Sequence, residues 1–212
     1  MSGCRHLSHQ EVSSIINNLT GKFSLRNRAL FQLGIDTGYR ISELLSLSIQ
    51  DVFDGDRVKD RISVARSNMK GERIGRFNIK ISNISKQRLY MWYEEAQDME
   101  HILGINPGDP VFFSRKRDDQ NNLKAISSVQ AWRSFKKAIK QAGIDGKVGT
   151  HSMRKTAGVR FYKESGLDLK ATQIFLGHSS VNDTMRYLSD CIVDIDGICE
   201  KMHQRHEQYA NI

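Results

Sequence analysis

Thr150-His151-Ser152-Met153-Arg154 opens a stretch that runs through Leu176-Gly177-His178 to Thr184-Met185-Arg186-Tyr187. Its punctuation predicts three consecutive helices. The first begins near Thr150 and stops at Gly166. Asp168 caps the second, which ends at Gly177, and a short third carries Tyr187. Glycine just past a helix takes the left-handed conformation without a Cβ penalty, and a side-chain carboxylate at the start accepts from an orphan N–H. A final helix over about 192–206 would place Ile195, Ile198 and Met202 on one side.

The same signals recur upstream. Ser8 and Glu11 form a capping box ahead of the apolar face Val12, Ile15, Ile16 and Leu19, and Gly21 ends that helix. A second helix is predicted over 24–37, with Leu30, Phe31, Leu33 and Gly34 along it and Gly38 as terminator. A third covers about 41–47. Alternating residues around Ile62 and Val64, and again around Phe77 and Ile79, read as two strands joined by a turn at 67–72. A long helix over about 85–103 follows, then a loop at 106–110, the short apolar run Val111-Phe112-Phe113, a polar loop at 118–122 and a helix over 127–142 closed by Gly143. No linker, repeat or low-complexity segment divides the chain. The expectation is one domain over 1–212, mainly α with a small β-sheet or hairpin (α+β).

The chain has 212 residues and is 39% hydrophobic, enough to bury a core, and its two prolines argue against disorder. Its net charge of +8 favours an anionic partner, nucleic acid above all, although a solvated basic surface gives the same number. Cys4, Cys191 and Cys199 have no metal-ligand spacing, and their odd number fits a reducing cytoplasm rather than a disulfide framework. No apolar run reaches the ~18 residues a membrane helix needs. The polar stretch 1–10 lacks a signal-peptide core.

Six residues are candidates for chemistry. His151 and Arg154, three apart at a helix start, share a face, and the helix N-terminus favours a phosphate. A guanidinium grips two phosphate oxygens through its planar fork. Arg40 lies in Gly38-Tyr39-Arg40-Ile41-Ser42-Glu43, where Glu43 can hold it in one rotamer. Lys70 sits in the turn beside Gly71 and can reach into a groove. His178 follows a helix end, and Tyr187 needs neighbouring cations or a base to act as a nucleophile. Each has a plainer reading: a solvated basic helix end, an intrahelical ion pair, a charged hairpin tip, a histidine on a helix C-terminus, a half-buried tyrosine. As a set, two arginines, two histidines and a late tyrosine are suited to holding a phosphodiester and attacking it with a phenolic oxygen.

In this order the motifs resemble the catalytic domain of tyrosine recombinases, the phage-integrase family, over nearly the whole chain. Thr37-Gly38-Tyr39-Arg40-Ile41-Ser42-Glu43-Leu44 is similar to the family's first arginine box. Lys70-Gly71 with Arg73 and Arg76 is similar to its β-hairpin lysine, and His151-Ser152-Met153-Arg154, Leu176-Gly177-His178 and Tyr187 to its second box. The resemblance implies the DNA breaking-rejoining fold and site-specific strand exchange through a 3′-phosphotyrosyl link. Tyr187 would be the nucleophile, Arg40 and Arg154 the phosphate clamp, and Lys70 the acid for the leaving 5′ oxygen. His151 would assist proton transfer, His178 would hydrogen-bond the phosphate, and Glu43 would orient the site. It implies no metal or cofactor. Double-stranded DNA would be the partner, with a homotetramer on two sites and room for an accessory DNA-bending protein. The expected location is a prokaryotic cytoplasm, with the gene on a phage or mobile element.

Lys155 departs from the family's frequent histidine, and no N-terminal DNA-clamping helical domain is visible. The helix over 192–206 is expected to dock either on its own subunit or on a neighbour. Two further readings stand beside this one: a type IB topoisomerase, which rejoins the same strand, and a DNA-binding regulator that kept the fold without catalysis. All six reactive positions hold competent residues, which argues against the regulator.

Overall fold

The computed structural model describes residues 4–64, 78–99, 104–188 and 195–210. It is built around α2 (Ser24–Thr37), which follows α1 (His9–Asn18). Ala29, Leu30, Phe31, Leu33 and Ile35 cover every side of α2 and are all buried, so this helix has little amphipathic character. The helix α5 (Asn83–Met99) packs on one side of it and α7 (Thr150–Glu164) on another, while α6 (Ser128–Gln141) packs against α1. Phe31 meets Phe135 of α6 edge-on at 5.3 Å, and Trp92 of α5 lies 5.1 Å from Phe113.

A central helix with polar residues must satisfy each of them. Arg26 donates through Nη1 to the Phe113 carbonyl at 2.7 Å, donates twice to Asn27 Oδ1, and lies over the Phe23 ring. Gln32 donates to Asp36 Oδ1 and accepts from Arg88 of α5. Asp36 Oδ2 accepts from the Ser82 N–H at the start of α5. The polar side chains thus tie α2 to its neighbours.

Capping signals set most boundaries. Ser8 and Glu11 bond reciprocally at the start of α1, and Glu11 also receives the Arg5 guanidinium at 2.5 and 2.9 Å. That pair holds the Glu11 carboxyl at about 2, well below its ordinary range. The predicted third helix ends slightly early, and a further short helix follows that was not foreseen. α3 spans Ile41–Leu45, and after a break α4 spans Ile49–Val52. The Ser46 hydroxyl donates to the Glu43 carbonyl, and Ser48 with Asp51 starts a fresh cap. The pair β1 (Phe53–Asp54) and β2 (Arg57–Val58), turning through Gly55, was not foreseen.

The strands β3 (Arg61–Ile62) and β4 (Ile79–Lys80) pair antiparallel, as the alternation predicts. The turn at 67–72, with Lys70, Arg73, Arg76 and Phe77, lies outside the described residues. The apolar run leads into β5 (Phe113–Arg117), which turns at 118–122 to pair with β6 (Leu123–Ala125). After α7 come α8 (Leu169–Leu176), α9 (Val181–Tyr187) and α10 (Ile195–Ala210), in the predicted order.

Gly38 ends α2 at φ +60, and a Cβ there would sit 3.2 Å from Ala157 Cβ on α7. Gly38→Ala therefore meets both left-handed strain and a tight helix contact. It should lower unfolding free energy by about 1–2 kcal/mol, read from urea titration. Gly21→Ala, also at positive φ but with nothing within 4 Å, should cost less.

Candidate active site

Where α2 ends, the chain must turn sharply and start α3. Gly38 makes the turn, and Tyr39 drops into the core, its hydroxyl donating to the Ile62 carbonyl at 2.7 Å. This bond ties β3 to the same corner. Arg40 follows in extended conformation as the residue before α3. The Glu43 carboxylate, only 3% exposed, accepts from the Arg40 backbone N–H at 2.6 Å and from its guanidinium at 2.7 Å. Arg40 itself stays partly exposed, so Glu43 fixes a cation that still faces outward.

Arg154, one turn into α7, is 2% exposed. Its Nη1 donates to the Gly38 carbonyl at 2.7 Å and its Nη2 to the Leu176 carbonyl at 2.5 Å. These carbonyls belong to the C-terminal ends of α2 and α8, where main-chain acceptors lack helical partners and carry partial negative charge. One planar fork thus caps two helices. Lysine, a point donor, cannot span both. Close packing supports the joint: a Cβ at Gly158 would lie 3.0 Å from Leu176 Cδ1.

His178 follows Gly177, which ends α8 at φ +60. Its backbone N–H donates to the Gln173 carbonyl, and Gln173 Nε2 donates back to the His178 carbonyl, both at 3.0 Å. Its ring Nδ1 lies 3.0 Å from Thr184 Oγ1 on α9. The ring also meets Tyr187 edge-on, with centroids 5.3 Å apart at 78°.

The Tyr187 hydroxyl lies 3.3 Å from the backbone carbonyl of His151 and donates to it. The structure thus brings Tyr187 against the His151 main chain, not its imidazole. Burial pushes the Tyr187 phenol up to about 12; the charges of Arg154 and Arg40 pull the other way. Partial desolvation, with the same two arginines, lowers His151 below its ordinary value, which leaves a neutral imidazole near pH 7. Both cations therefore act on both groups, so Arg40, His151, Arg154, His178 and Tyr187 form one cluster. Lys70 lies outside the described residues. Lys155, beside the second arginine, is buried.

Several contributors had no distinctive signal. Cys4 lies against Gly149, the residue before α7, and adds to the upward shift of Tyr187. Arg5 donates to the Asp145 carbonyl, and the Leu7 N–H donates to Thr156 Oγ1 on α7. These contacts span 140 residues or more, beyond the reach of local pattern. Among the described residues no cluster of three or more His, Cys, Asp or Glu could hold a metal. No described helix is long and apolar enough to cross a membrane.

A helical domain that gathers two arginines, two histidines and a late tyrosine at one corner defines a class, and the comparisons with known proteins agree. The phage integrase family model matches residues 5–191, and the chain belongs to that family. A probable integrase/recombinase of Bacillus subtilis, YoeC, is 32% identical over 181 residues, covering 85% of this chain and 86% of the relative. Tyrosine recombinase XerC of Caldanaerobacter subterraneus is 27% identical over 184 residues, covering 86% of this chain. The chain spans only 46% of that relative's length. Among solved structures, the XerH site-specific recombinase in its post-cleavage complex with palindromic difH matches with a TM-score of 0.66 at 22% identity. That match covers 100% of this chain and 54% of the other, and it establishes the shared fold.

Replacing Glu43 by Gln keeps its shape and removes the charge that holds Arg40. Unfolding free energy should fall by about 1–3 kcal/mol, because the amide keeps one acceptor oxygen without its charge and sets an NH2 against a donor in the other bond. Equilibrium urea unfolding of the two proteins measures this.

Proposed function

We propose that this chain is the catalytic domain of a tyrosine-type site-specific recombinase that cuts and rejoins double-stranded DNA. One observation carries the reading: a half-buried tyrosine lies within the field of two arginines whose own positions are fixed, Arg40 by Glu43 and Arg154 by two helix ends. Family membership and the relatives named as recombinases support it.

In this mechanism the Tyr187 oxygen forms a bond to the scissile phosphorus, and the bond from phosphorus to the 5′ oxygen breaks. The departing oxygen takes a proton from Lys70. Arg40 and Arg154 face the non-bridging oxygens and stabilise the charge that builds there, and His178 donates a further hydrogen bond. His151, neutral near pH 7, accepts the phenolic proton. The phenol must first leave the His151 carbonyl, so the observed contact is a resting state. The 5′-hydroxyl of a partner strand then attacks the phosphotyrosine and gives its proton to Lys70, the bond from phosphorus to the Tyr187 oxygen breaks, and that oxygen takes its proton back from His151. The link conserves the bond energy, so the reaction takes no cofactor. The working assembly is a homotetramer on two sites, in the cytoplasm, with an accessory DNA-bending protein where the site requires it.

Covalent trapping tests the reading. Nicked suicide duplexes drawn from DNA flanking the gene are mixed with protein and run on denaturing gels. A slow-migrating adduct is expected from the wild type and none from Tyr187→Phe. Binding without any adduct would overturn the reading in favour of a regulator. Relaxation of a plasmid that lacks any specific site would favour a topoisomerase.

The pH dependence follows from the shifts. Burial holds the phenol protonated up to about 12, so adduct formation should not follow its titration near 10. Burial and the charges of Arg154 and Arg40 lower His151 below its ordinary value, so it loses its accepting lone pair only on the acid side of that value. The rate should therefore be flat near neutrality and fall on the acid side. His151→Gln should remove that limb and slow trapping by about a hundredfold or more.

The helix α10 is proposed to dock on a neighbouring subunit, with Met202, 59% exposed, among its contacts. Deleting Asp196 to Ile212 should abolish cooperative recombination and leave half-site binding intact in a mobility-shift assay. Unchanged recombination in that truncation would contradict docking in trans.

A further inference from the structure

Four threonines are buried among the described residues: Thr37, Thr156, Thr172 and Thr184. Three behave as helical threonines usually do, donating the hydroxyl to the carbonyl four residues back. Thr37 donates to Leu33, Thr156 to Ser152 and Thr172 to Asp168, each at 2.7 Å. Thr184 differs. Its Oγ1 lies 3.0 Å from Nδ1 of His178, and the side chain is fully buried.

A buried hydroxyl must place its proton on an acceptor. Since the Thr184 hydroxyl is not spent on its own helix, the acceptor is the His178 ring nitrogen. An Nδ1 that accepts a hydrogen bond carries no proton, and the neutral ring then carries its proton on Nε2. We infer that Thr184 is a positioning residue that fixes the tautomer and the ring orientation of His178, so that Nε2–H is the donor presented to the reacting phosphate.

The surrounding geometry agrees. His178 is held through its main chain by Gln173 of α8 and through its ring by Thr184 of α9. Thr184 and Tyr187 are three apart on α9 and share a face. The His178 ring, pinned by Thr184, in turn packs edge-on against Tyr187. One hydroxyl thus sets the proton on the histidine and the angle between histidine and tyrosine. With the wrong tautomer a lone pair would face the phosphate oxygen and repel it.

The catalytic consequence rests on the recombinase reading; the tautomer assignment does not. The full 212-residue protein with 15N-labelled histidine would be studied by long-range proton–nitrogen NMR, the His178 signals assigned by their loss in His178→Gln. The wild type should show an unprotonated Nδ1 and a protonated Nε2. Thr184→Val, isosteric but without the hydroxyl, should show mixed tautomers, and Thr184→Ser should restore the wild-type pattern. On saturating suicide duplex, Thr184→Val should slow adduct formation about ten- to a hundredfold, with half-site affinity unchanged and Thr184→Ser restoring the rate. A wild-type His178 protonated at Nδ1 overturns the inference whatever the variants do, and so does a Thr184→Val spectrum identical to wild type. The expected spectra without any adduct would support the assigned hydrogen bond and overturn the functional reading.

Discussion

Two hydrogen bonds from one buried guanidinium organise this protein. Arg154 reaches from α7 to the last carbonyls of α2 and α8, and a single planar fork serves both. Helix C-termini repel one another electrostatically and leave acceptors unpaired, so bringing two of them to one corner requires a cation between them. Arg154 supplies it, and the corner it creates is where Gly38 turns the chain toward Arg40 and Gly177 turns it toward His178. The site is the place where the ends of α2 and α8 are tied to α7, and its side chains are positioned by that tie.

The same corner keeps the Tyr187 phenol protonated. Two arginines near a phenol would by themselves draw its proton off, yet burial outweighs them and holds Tyr187 near 12. Its hydroxyl spends its proton on a main-chain carbonyl rather than on the neutral imidazole of the same residue.

Much of the helical frame was legible because helix ends are written in local chemistry. Ser8 with Glu11, Asp168, Gly38, Gly143 and Gly177 mark boundaries through capping and positive φ, both decided within a few residues. The apolar pattern draws the third helix through Leu47, while the Ser46 hydroxyl ends it at Leu45; the four-residue α4, started by a cap at Ser48, was not foreseen because it is too short for periodicity to show. The hairpin of β1 and β2 has strands of two residues each, too short for alternation to show. At the site, residue types and order pointed to a phosphate and a phenolic attack, and five of the six candidates converge. The partners that position them did not show. Thr184 reads as an ordinary helical residue until His178 is seen beside it, and nothing in the sequence around Arg154, read there as a phosphate clamp, points to its two carbonyl partners. Cys4 and Arg5 act on α7 from the far end of the chain, a closeness that only the fold creates.

The central claim is that Arg154 ties two helix ends into one site, and amide hydrogen exchange measured residue by residue in Arg154→Lys against the wild type tests it most directly. Exchange should accelerate at both joined ends, around residues 34–40 and 173–178, while the amides in the middle of α5 keep their protection relative to global stability. Unchanged protection at either end, or a uniform loss across the whole domain, would contradict the account.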